Sequence, residues 1–366
     1  MRHDRQGRHV HNFGAGPSTL PVAVLEEARD ELVDFAGTGM SLVELSHRSP
    51  EYRRVHDEAL ALAAEVAGAP SDFEVLALQG GATLQFAMVP LNLLDEGEEA
   101  GYVVSGSWAK KALADARTVA NAHVAWNGTA DGFRRMPAPT EPEVGASARY
   151  LHVTSNETIE GLRMAEWPDV GVPLVADVSS DFLSRPIPWH RFNLVYGGAQ
   201  KNLGPAGVTL SFVRRSALRS GVTDRIPSYL RYAWHAEAGS LANTPPMFSI
   251  YLMGKVLRRL RDRGGVAGLE RESAEKASIL YRVIDESEDF YRSSVEPAHR
   301  SHMNVVFRLP DAEREERFLS EAASRGFVGL RGHRSVGGCR ASLYAALPVA
   351  SAAALGEFMA EFRRSG

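Results

Sequence analysis

The feature that most constrains this chain is a lysine in a glycine-rich loop that follows a short apolar strand. Residues 192–198 are rich in β-forming side chains and end in two glycines, and Lys201 then precedes a second Gly/Pro turn at residues 204–207. Open α/β sheets bind ligands just past the carboxyl ends of their strands. A lysine held there can lose hydration, which lowers its pKa and suits it to form a Schiff base. Most lysines in turns are only solvated, so this interpretation depends on a second residue.

That second residue is Asp177. It lies in the apolar stretch at residues 172–180, which reads as another buried strand, and it precedes Lys201 by 201 − 177 = 24 residues. This separation is about the span of one strand, a crossover and the next parallel strand, so we expect both side chains at the same edge of the sheet. An acidic partner for a pyridine nitrogen and an imine-forming lysine are the pair that pyridoxal 5′-phosphate requires. Together they predict a pyridoxal phosphate enzyme.

The composition leaves room for two domains and excludes several functions. The chain has 366 residues, of which 44% are hydrophobic and 23% charged, so it can bury a large core. A formal net charge of −4 argues against a general role on nucleic acid or at a membrane surface. The single cysteine, Cys339, allows no intrachain disulfide and fits a reducing compartment. Cys339 is more simply explained as a small buried core residue than as a nucleophile.

The pattern along the chain predicts how it is divided. Residues 1–11 are polar and basic without the apolar core of a secretory signal, and we expect a disordered leader. Alternating strands and helices from about residue 70 to 215 predict an α/β fold, a mostly parallel sheet covered by helices. We expect a large domain over residues 12–264, with an extended segment at 41–46, and a smaller α+β domain over residues 265–366. No apolar run is long enough to span a bilayer, so we expect a soluble, cytoplasmic protein.

Several loops are candidate anion sites. Residues 79–83 turn from a strand into a helix, so Ala82 and Thr83 could present N–H groups to a phosphate, although such turns also occur for steric reasons alone. Trp108 follows the next strand and could lie flat on an aromatic cofactor or fill the core. Arginine matches carboxylate and phosphate oxygens in pairs, so basic loops indicate either an anion pocket or a solvated surface. The basic candidates are His47, Arg48, His333, Arg334 and Arg340. No set of side chains has the spacing of metal ligands, so we expect no metal.

Motifs along nearly the whole chain resemble those of the phosphoserine aminotransferases, a fold-type I, class V family of pyridoxal phosphate enzymes. Besides the lysine loop, the similar segments are residues 44–48, 156–161, 176–180, 243–246 and 332–340. The lysine loop and the last segment distinguish this family from its class V relatives. The resemblance implies a mostly parallel, seven-stranded-type sheet covered by helices, a smaller C-terminal domain, and a homodimer with shared active sites.

The resemblance also implies a role for each site residue. Lys201 forms the Schiff base and moves the substrate's α-proton, and Asp177 holds the pyridine nitrogen protonated. Trp108 stacks on the ring, and Thr158 bonds its 3-hydroxyl side. Arg340 takes the substrate α-carboxylate. The implied phosphate ligands are Ala82, Thr83 and Gln200, with Asn243 and Thr244 from the other subunit. The implied ligands of the distal anion are His47, Arg48, His333 and Arg334, some of them again across the dimer interface.

The distal pocket has a physical rationale. It must accept the carboxylate of glutamate and a substrate phosphate in turn, and arginine with histidine suits both. Unphosphorylated serine would leave these cations unpaired, so the pocket should reject it. One departure from the family concerns the phosphate. Some members carry Gly-Arg where this chain has Ala82-Thr83, so the Thr83 hydroxyl and the helix N-terminus must hold the phosphate without that charge.

The implied reaction converts 3-phosphohydroxypyruvate and L-glutamate to O-phospho-L-serine and 2-oxoglutarate in serine biosynthesis. A related 4-phosphohydroxythreonine reaction belongs to pyridoxine biosynthesis. Two alternatives stay open. A class V aminotransferase of the serine–glyoxylate type is disfavoured because small neutral substrates do not need two His-Arg pairs. A catalytically silent protein with the same fold is disfavoured by Lys201 and Asp177. The expected partners are small-molecule substrates and a second copy of the chain, without nucleic acid or membrane.

Overall fold

The computed structural model describes residues 3, 4, 7, 9–218 and 226–365. The strands within them are β1 His11–Asn12, β2 Phe73–Leu78, β3 Glu99–Val104, β4 Asn121–Asn127, β5 Ala148–Thr154, β6 Asn156–Glu157, β7 Leu162–Arg163, β8 Leu174–Asp177, β9 Phe192–Gly198, β10 Thr209–Arg214, β11 Asn304–Phe307, β12 Phe327–Val328 and β13 Cys339–Ser342. The α-helices are α1 Val22–Glu31, α2 Pro50–Ala67, α3 Gly81–Leu93, α4 Ser107–Ala116, α5 Tyr232–Glu237, α6 Met247–Asp262, α7 Gly265–Asp285, α8 Ala312–Ser324 and α9 Val349–Arg364.

A seven-stranded sheet with the order β2-β10-β9-β8-β5-β3-β4 forms the centre of the molecule. Its pairs are parallel except that β10 runs antiparallel to both β2 and β9. Successive residues of β8 belong to different apolar cores, with Val175 in one and Ala176 in the other, because alternate side chains point to opposite faces. The expected α/β fold with a mostly parallel, seven-stranded sheet is confirmed.

The antiparallel strand β10 brings two separate loops to one edge of the sheet. Thr209, its first residue, pairs with Leu78 at the end of β2 and with Gly198 at the end of β9. The loops that follow β2 and β9 therefore leave the sheet at the same level, about 10 Å apart across two strand spacings. The carboxyl end of β8 lies at the same edge, since Asp177 pairs with Tyr196 of β9.

The C-terminal part of the chain has its own core, in which residues of α7, α8 and α9 pack on β11 and β13. Phe13 belongs to the same core. The prediction of a disordered leader is wrong at its last residue, because His11 begins β1 and pairs with Phe327 of β12. The His11 ring also stacks on Phe327, and its Nδ1 lies 2.9 Å from Ser351 Oγ. Residues 1, 2, 5, 6 and 8 of the predicted leader lie outside the described residues.

A second local prediction is wrong at residues 41–46, which form turns instead of an extended segment. The Glu44 side chain accepts a hydrogen bond from Ser41 N at 2.9 Å, and Glu44 N donates to Ser41 O at 3.0 Å. This reciprocal pair satisfies the backbone locally and so competes with an extended conformation. Across the described ranges, none of the helices is both long enough and apolar enough for a membrane span.

Candidate active site

The centre of the candidate site lies at the carboxyl edge of β8 and β9. Asp177 is the last residue of β8, and Lys201 follows the end of β9 by three residues. Asp177 Oδ1 accepts hydrogen bonds from Ser179 N at 2.9 Å and from Ser179 Oγ at 2.6 Å. Within the described part of the chain, Asp177 Oδ2 accepts no hydrogen bond. It is therefore available to an N–H donor such as a protonated pyridine nitrogen.

The Lys201 amine is held by neighbours on two sides. Its Nζ donates to Thr158 Oγ1 at 2.8 Å and lies 5.6 Å from the ring centroid of Trp108. Burial lowers the pKa of Lys201 to about 8, with the positive charge of Arg340 adding to this effect and the Asp177 carboxylate opposing it. Burial raises the pKa of Asp177, while bonds from Ser179 and the charge of Lys201 oppose the change. The lowered lysine pKa suits imine formation.

Arg340, on β13, reaches the same centre from the C-terminal core. Its Nη1 donates to the carbonyl oxygen of Thr158 at 3.3 Å. Its Nε is buried and has no partner among the residues that the structure describes. Burial lowers the pKa of the guanidinium, yet arginine stays charged. Arg340 can therefore bind a carboxylate beside Lys201 and Thr158.

Sequence reasoning gave no role to Glu157 and Glu160, the residues on either side of the Thr158 segment. Both carboxylates bind N–H groups at the start of α4, the helix that carries Trp108. Burial raises the pKa of Glu157 to about 8 and the negative charge of Glu160 adds to this, while bonds from Ala109, Trp108 and Ser105 oppose it. The one signal in the sequence was a pair of carboxylates in a loop after a buried strand. That pattern alone does not predict that the carboxylates bind the start of α4.

The candidate phosphate cradle is the N-terminus of α3. Gly80 precedes the helix with φ 90°, and no side chain of the described residues caps it. A Cβ on Gly80 would lie 2.5 Å from Leu84 Cδ2, so both the backbone conformation and the space require glycine. Ala82 and Thr83 occupy the first turn of α3, and Gln200 lies in the loop after β9. The strand register brings these two loops to the same edge of the sheet.

The remaining candidates form two groups that share no hydrogen bond with Lys201 among the described residues. His47 is buried, and its Nδ1 lies 3.3 Å from Thr244 Oγ1, while Gln79 Nε2 donates to Thr244 O at 3.2 Å. Burial lowers the pKa of His47, and Arg48 adds to this. Among the described residues, no hydrogen bond joins Asn243 or Thr244 to Lys201, Gln200 or Ala82. Asn243, Thr244, His47 and Arg48 therefore form one group of their own; we call it the first rim group.

The second group, which we call the second rim group, is His333 with Arg334. The two residues lie in a loop closed at its base by Gly332 N donating to Gly338 O at 2.8 Å. A Cβ on Gly332 would clash with the carbonyl of Gly337, so this closure needs glycine. The His333 ring contacts Ser335 Oγ at 2.7 Å, and Arg334 is exposed. No hydrogen bond in the described ranges links this group to the first one.

The arrangement fits pyridoxal 5′-phosphate. Asp177 offers a free carboxylate oxygen, Lys201 a nucleophilic amine with a lowered pKa, Trp108 a ring surface beside that amine, and α3 an uncapped helix N-terminus for the phosphate. No group of three or more metal-ligating side chains is arranged around a common point in the described residues.

Comparisons with known sequences point to one family. The family model described as "Aminotransferase class-V" matches residues 10–354. The phosphoserine aminotransferase of Halalkalibacterium halodurans is 48% identical over 356 residues, which cover 97% of this chain and 98% of the relative. That of Bacillus subtilis is 45% identical over 353 residues, covering 96% and 98% respectively.

Solved structures agree with the sequence matches. The phosphoserine aminotransferase from Bacillus circulans subsp. alkalophilus superposes with a TM-score of 0.95 at 48% identity, covering 98% of this chain and 99% of the other. A PLP-bound phosphoserine aminotransferase from Trichomonas vaginalis gives 0.92 at 33% identity, covering 96% and 100%. An alanine–glyoxylate aminotransferase from Nostoc sp. gives 0.71 at 16% identity, a likeness of fold alone. The expected fold-type I architecture is therefore confirmed.

Proposed function

The chain belongs to the aminotransferase class-V family, and from this premise we propose that it is a phosphoserine aminotransferase with pyridoxal 5′-phosphate as its cofactor. The proposed reaction transfers the amino group of L-glutamate to 3-phosphohydroxypyruvate, giving O-phospho-L-serine and 2-oxoglutarate in serine biosynthesis. By the same chemistry we propose activity on the 4-phosphohydroxythreonine pair of pyridoxine biosynthesis.

The observation that carries the proposal is the contact of Lys201, Thr158 and Arg340 in one partly buried group. Lys201 Nζ donates to Thr158 Oγ1 and Arg340 Nη1 to Thr158 O, at 2.8 and 3.3 Å. An amino acid bound by its α-carboxylate to Arg340 would thus hold its amino group and α-carbon near the lysine amine. This is the geometry that a transaminase needs, because proximity of the amine to the α-carbon replaces a bimolecular encounter.

When bound, the cofactor supplies an electron sink for the pair of electrons left on the substrate α-carbon. The protein's own residues do the rest. Lys201 Nζ would hold the cofactor and, once the substrate amine has displaced it, would move the proton at the α-carbon, for which a pKa of about 8 is well matched to neutral solution. Asp177 Oδ2 would accept a hydrogen bond from the ring nitrogen and so favour its protonated form, and Trp108 would offer its ring for stacking. The Thr158 hydroxyl would help to orient the cofactor.

The phosphate of the cofactor would be held by Ala82, Thr83 and Gln200, with Asn243 and Thr244 of a second copy. The distal anion of the substrate would be held by His47, Arg48, His333 and Arg334. These assignments combine the family resemblance with the placement of each residue in a loop at the edge of the sheet or on the small domain. Since all these groups are donors, a substrate with a distal phosphate or carboxylate is favoured over neutral serine.

We also propose that the chain acts as a homodimer with shared sites. Support comes from the exposed apolar side chains concentrated between residues 25 and 43, where Val33 is 81% and Val43 56% exposed. The others in this segment are Leu25, Leu32 and Met40. A high density of exposed apolar side chains in one stretch of the chain is consistent with a protein–protein interface. A cytoplasmic location is proposed as well, supported by the buried, unpaired Cys339.

The test is an absorbance spectrum of the purified protein with bound cofactor, recorded before and after O-phosphoserine or L-serine without any keto acid. We expect phosphoserine to convert the yellow form of the cofactor to the colourless amino form, and L-serine to leave it yellow. An equal response to both amino acids would replace the proposal with a different class-V aminotransferase. No cofactor band after incubation with pyridoxal phosphate would contradict the enzymatic function altogether.

A further inference from the structure

The start of helix α4 is capped by a distant loop and not by its own sequence. The residue before the helix, Gly106, has no side chain and so cannot cap the helix itself. Glu157, which is 0% exposed, reaches this helix end from the loop after β5. Its Oε2 accepts from Trp108 N at 3.0 Å, and its Oε1 accepts from Ala109 N at 3.0 Å and from Ser105 Oγ at 3.2 Å.

Glu160 completes the cap. Its Oε1 accepts from Ser107 N at 2.9 Å and from Ser107 Oγ at 2.5 Å. The first three N–H groups of α4, those of Ser107, Trp108 and Ala109, therefore all donate to two carboxylates of one loop. Carboxylates are favoured at this position because the helix dipole places positive partial charge at the N-terminus.

The same loop holds the two groups that are proposed to act on the substrate. Thr158 follows Glu157 directly, and it accepts from Lys201 Nζ through its side chain and from Arg340 Nη1 through its carbonyl. Gly161 N donates to Glu157 O at 2.9 Å and closes the turn. Trp108, Lys201 and Arg340 are thus tied to a single four-residue turn by hydrogen bonds.

We propose that Glu157 is a positioning residue that sets the Trp108 ring relative to Lys201, with Glu160 in a supporting role on Ser107. The proposal rests on the proposed function, because the position of the Trp108 ring matters only if that ring would stack on a bound cofactor. Glu157 acts through the backbone of Trp108 and touches no reacting atom.

Gly106 supports the proposal independently, because only glycine leaves space for the Glu157 side chain at this position. Its φ is 177°, an extended conformation that any residue adopts, so backbone freedom does not explain the glycine. A Cβ there would lie 2.6 Å from Cδ of Glu157. Gly106→Ala would therefore push the Glu157 side chain away from α4 without changing its chemical nature.

The test uses the Trp108 signal of the cofactor-free protein, followed by cofactor binding. The difference between the near-ultraviolet circular dichroism of the wild type and of Trp108→Phe defines that signal. Glu157→Gln keeps the size of the side chain but presents an NH2 group to one of two N–H donors. We expect Glu157→Gln to remove at least half of the Trp108 signal. It should also weaken pyridoxal phosphate binding about tenfold, because one buried backbone N–H donor is left without an acceptor. Gly106→Ala should give the same two changes.

Two further variants are matched controls. Glu160→Gln alters only the bonds to Ser107, so we expect the Trp108 signal to stay and binding to weaken threefold or less, by about the value of one hydrogen bond. Ser105→Ala keeps both backbone bonds of Glu157, so both readouts should match the wild type. An unchanged Trp108 signal in folded Glu157→Gln, or an equal loss in Ser105→Ala, would overturn the inference.

Failure of the inference is distinguishable from failure of the proposed function. If the wild type binds no pyridoxal phosphate, the function is wrong while the circular dichroism arm still reports on Glu157. If the wild type binds the cofactor and Glu157→Gln binds it equally with an unaltered Trp108 signal, the inference is wrong and the function stands. Thermal unfolding of each variant verifies that it is folded, and if Glu157→Gln does not fold, Gly106→Ala decides the question.

Discussion

The centre of the candidate site and the two rim groups are built in different ways. In the centre, Lys201, Thr158 and Arg340 are joined by hydrogen bonds within one chain, and Asp177 is fixed by Ser179. Among the described residues, the first rim group bonds through His47 to Thr244 and through Thr244 to Gln79, while the second bonds through His333 to Ser335 in its own loop. The hydrogen-bonded centre therefore forms within one chain, whereas in the first rim group His47 Nε2 has no partner in the part of the chain that the structure describes.

This difference indicates what each region is for. Groups that do chemistry need fixed positions to within a fraction of an ångström, which buried hydrogen bonds provide. Groups that bind either a carboxylate or a phosphate need charge and adaptable reach, and a second subunit can supply the missing side of the pocket. The predictions below test this contrast between centre and rim, beginning with the largest effect.

The largest effect is expected in the centre. Lys201→Ala should lower kcat by about 10³-fold or more, because both imine formation and proton transfer are lost. The matched control is Lys276→Met. Lys276 is also buried with a pKa lowered to about 8, but it donates to the carbonyls of Tyr344 and Leu347 in the C-terminal core. Steady-state kinetics should show kcat per folded molecule retained in this control, and an equal loss in both variants would contradict a special role for Lys201.

The next effect concerns the rim. Arg48→Ala should lower kcat/KM for O-phosphoserine about 10²-fold, mostly through KM, because a charge-assisted bond to the distal anion is lost. The exposed Arg54 on α2 gives a control, Arg54→Ala, that should match the wild type.

Mixing the two impaired variants, assayed at substrate concentrations well below KM, then tests whether the rim acts across a dimer. If Arg48 serves the partner's site, refolding Lys201→Ala together with Arg48→Ala should restore about one quarter of the wild-type activity, since half of the dimers are mixed and each has one intact site. If Arg48 serves its own chain, no activity returns beyond that of the two variants alone, and the contrast between a complete centre and a shared rim is wrong.

A smaller effect distinguishes Lys201 from a lysine whose pKa is not lowered. With a pKa of about 8, the neutral amine of Lys201 should increase about tenfold from pH 7 to pH 9 and then level off. The rate at which cofactor-free protein binds pyridoxal phosphate, followed by absorbance in a stopped-flow instrument, should follow the same curve. A rate that continues to rise beyond pH 9.5 would indicate an unperturbed lysine and contradict the burial of the centre.

The smallest effect is expected at the phosphate cradle. Thr83→Val should weaken pyridoxal phosphate binding about fivefold, by the value of one hydrogen bond from the hydroxyl, and leave kcat at saturating cofactor nearly unchanged. Equilibrium dialysis measures the change, and Thr83→Ser should restore it. Unchanged affinity in Thr83→Val would show that the backbone N–H groups of α3 hold the phosphate alone.

Much of the sheet could be predicted from the sequence because its strands are continuous apolar runs. β2 ends at Leu78, directly before the predicted turn at residues 79–83, and Asp177 and Lys201 lie at one sheet edge as expected. The sequence motifs could not predict α4, since its capping groups come from Glu157 and Glu160, about fifty residues away. When the capping residues are distant in the sequence, the local sequence does not indicate where the helix begins.

Other features depend on contacts that are remote in the sequence. The two-residue strand β1 forms only because Phe327 and Val328 lie beside it, and a segment of that length has no period to detect. The antiparallel direction of β10 follows from its two neighbours and not from its composition. In the site, the residue types of the rim were apparent from the sequence, but their separation into two groups within one chain was not, because it depends on the positions of whole loops.

The pairing of β1 with β12 has a consequence for how the chain is made. His11 and Phe327 are 327 − 11 = 316 residues apart, which at the usual speed of protein synthesis is on the order of 15 to 60 s. During that time Phe13 has no core to enter, while the pairs of the central sheet are already available to one another. We therefore expect folding on the ribosome to begin with the large domain and to end with the docking of the first ordered residues, a late step that involves contacts of very long sequence separation.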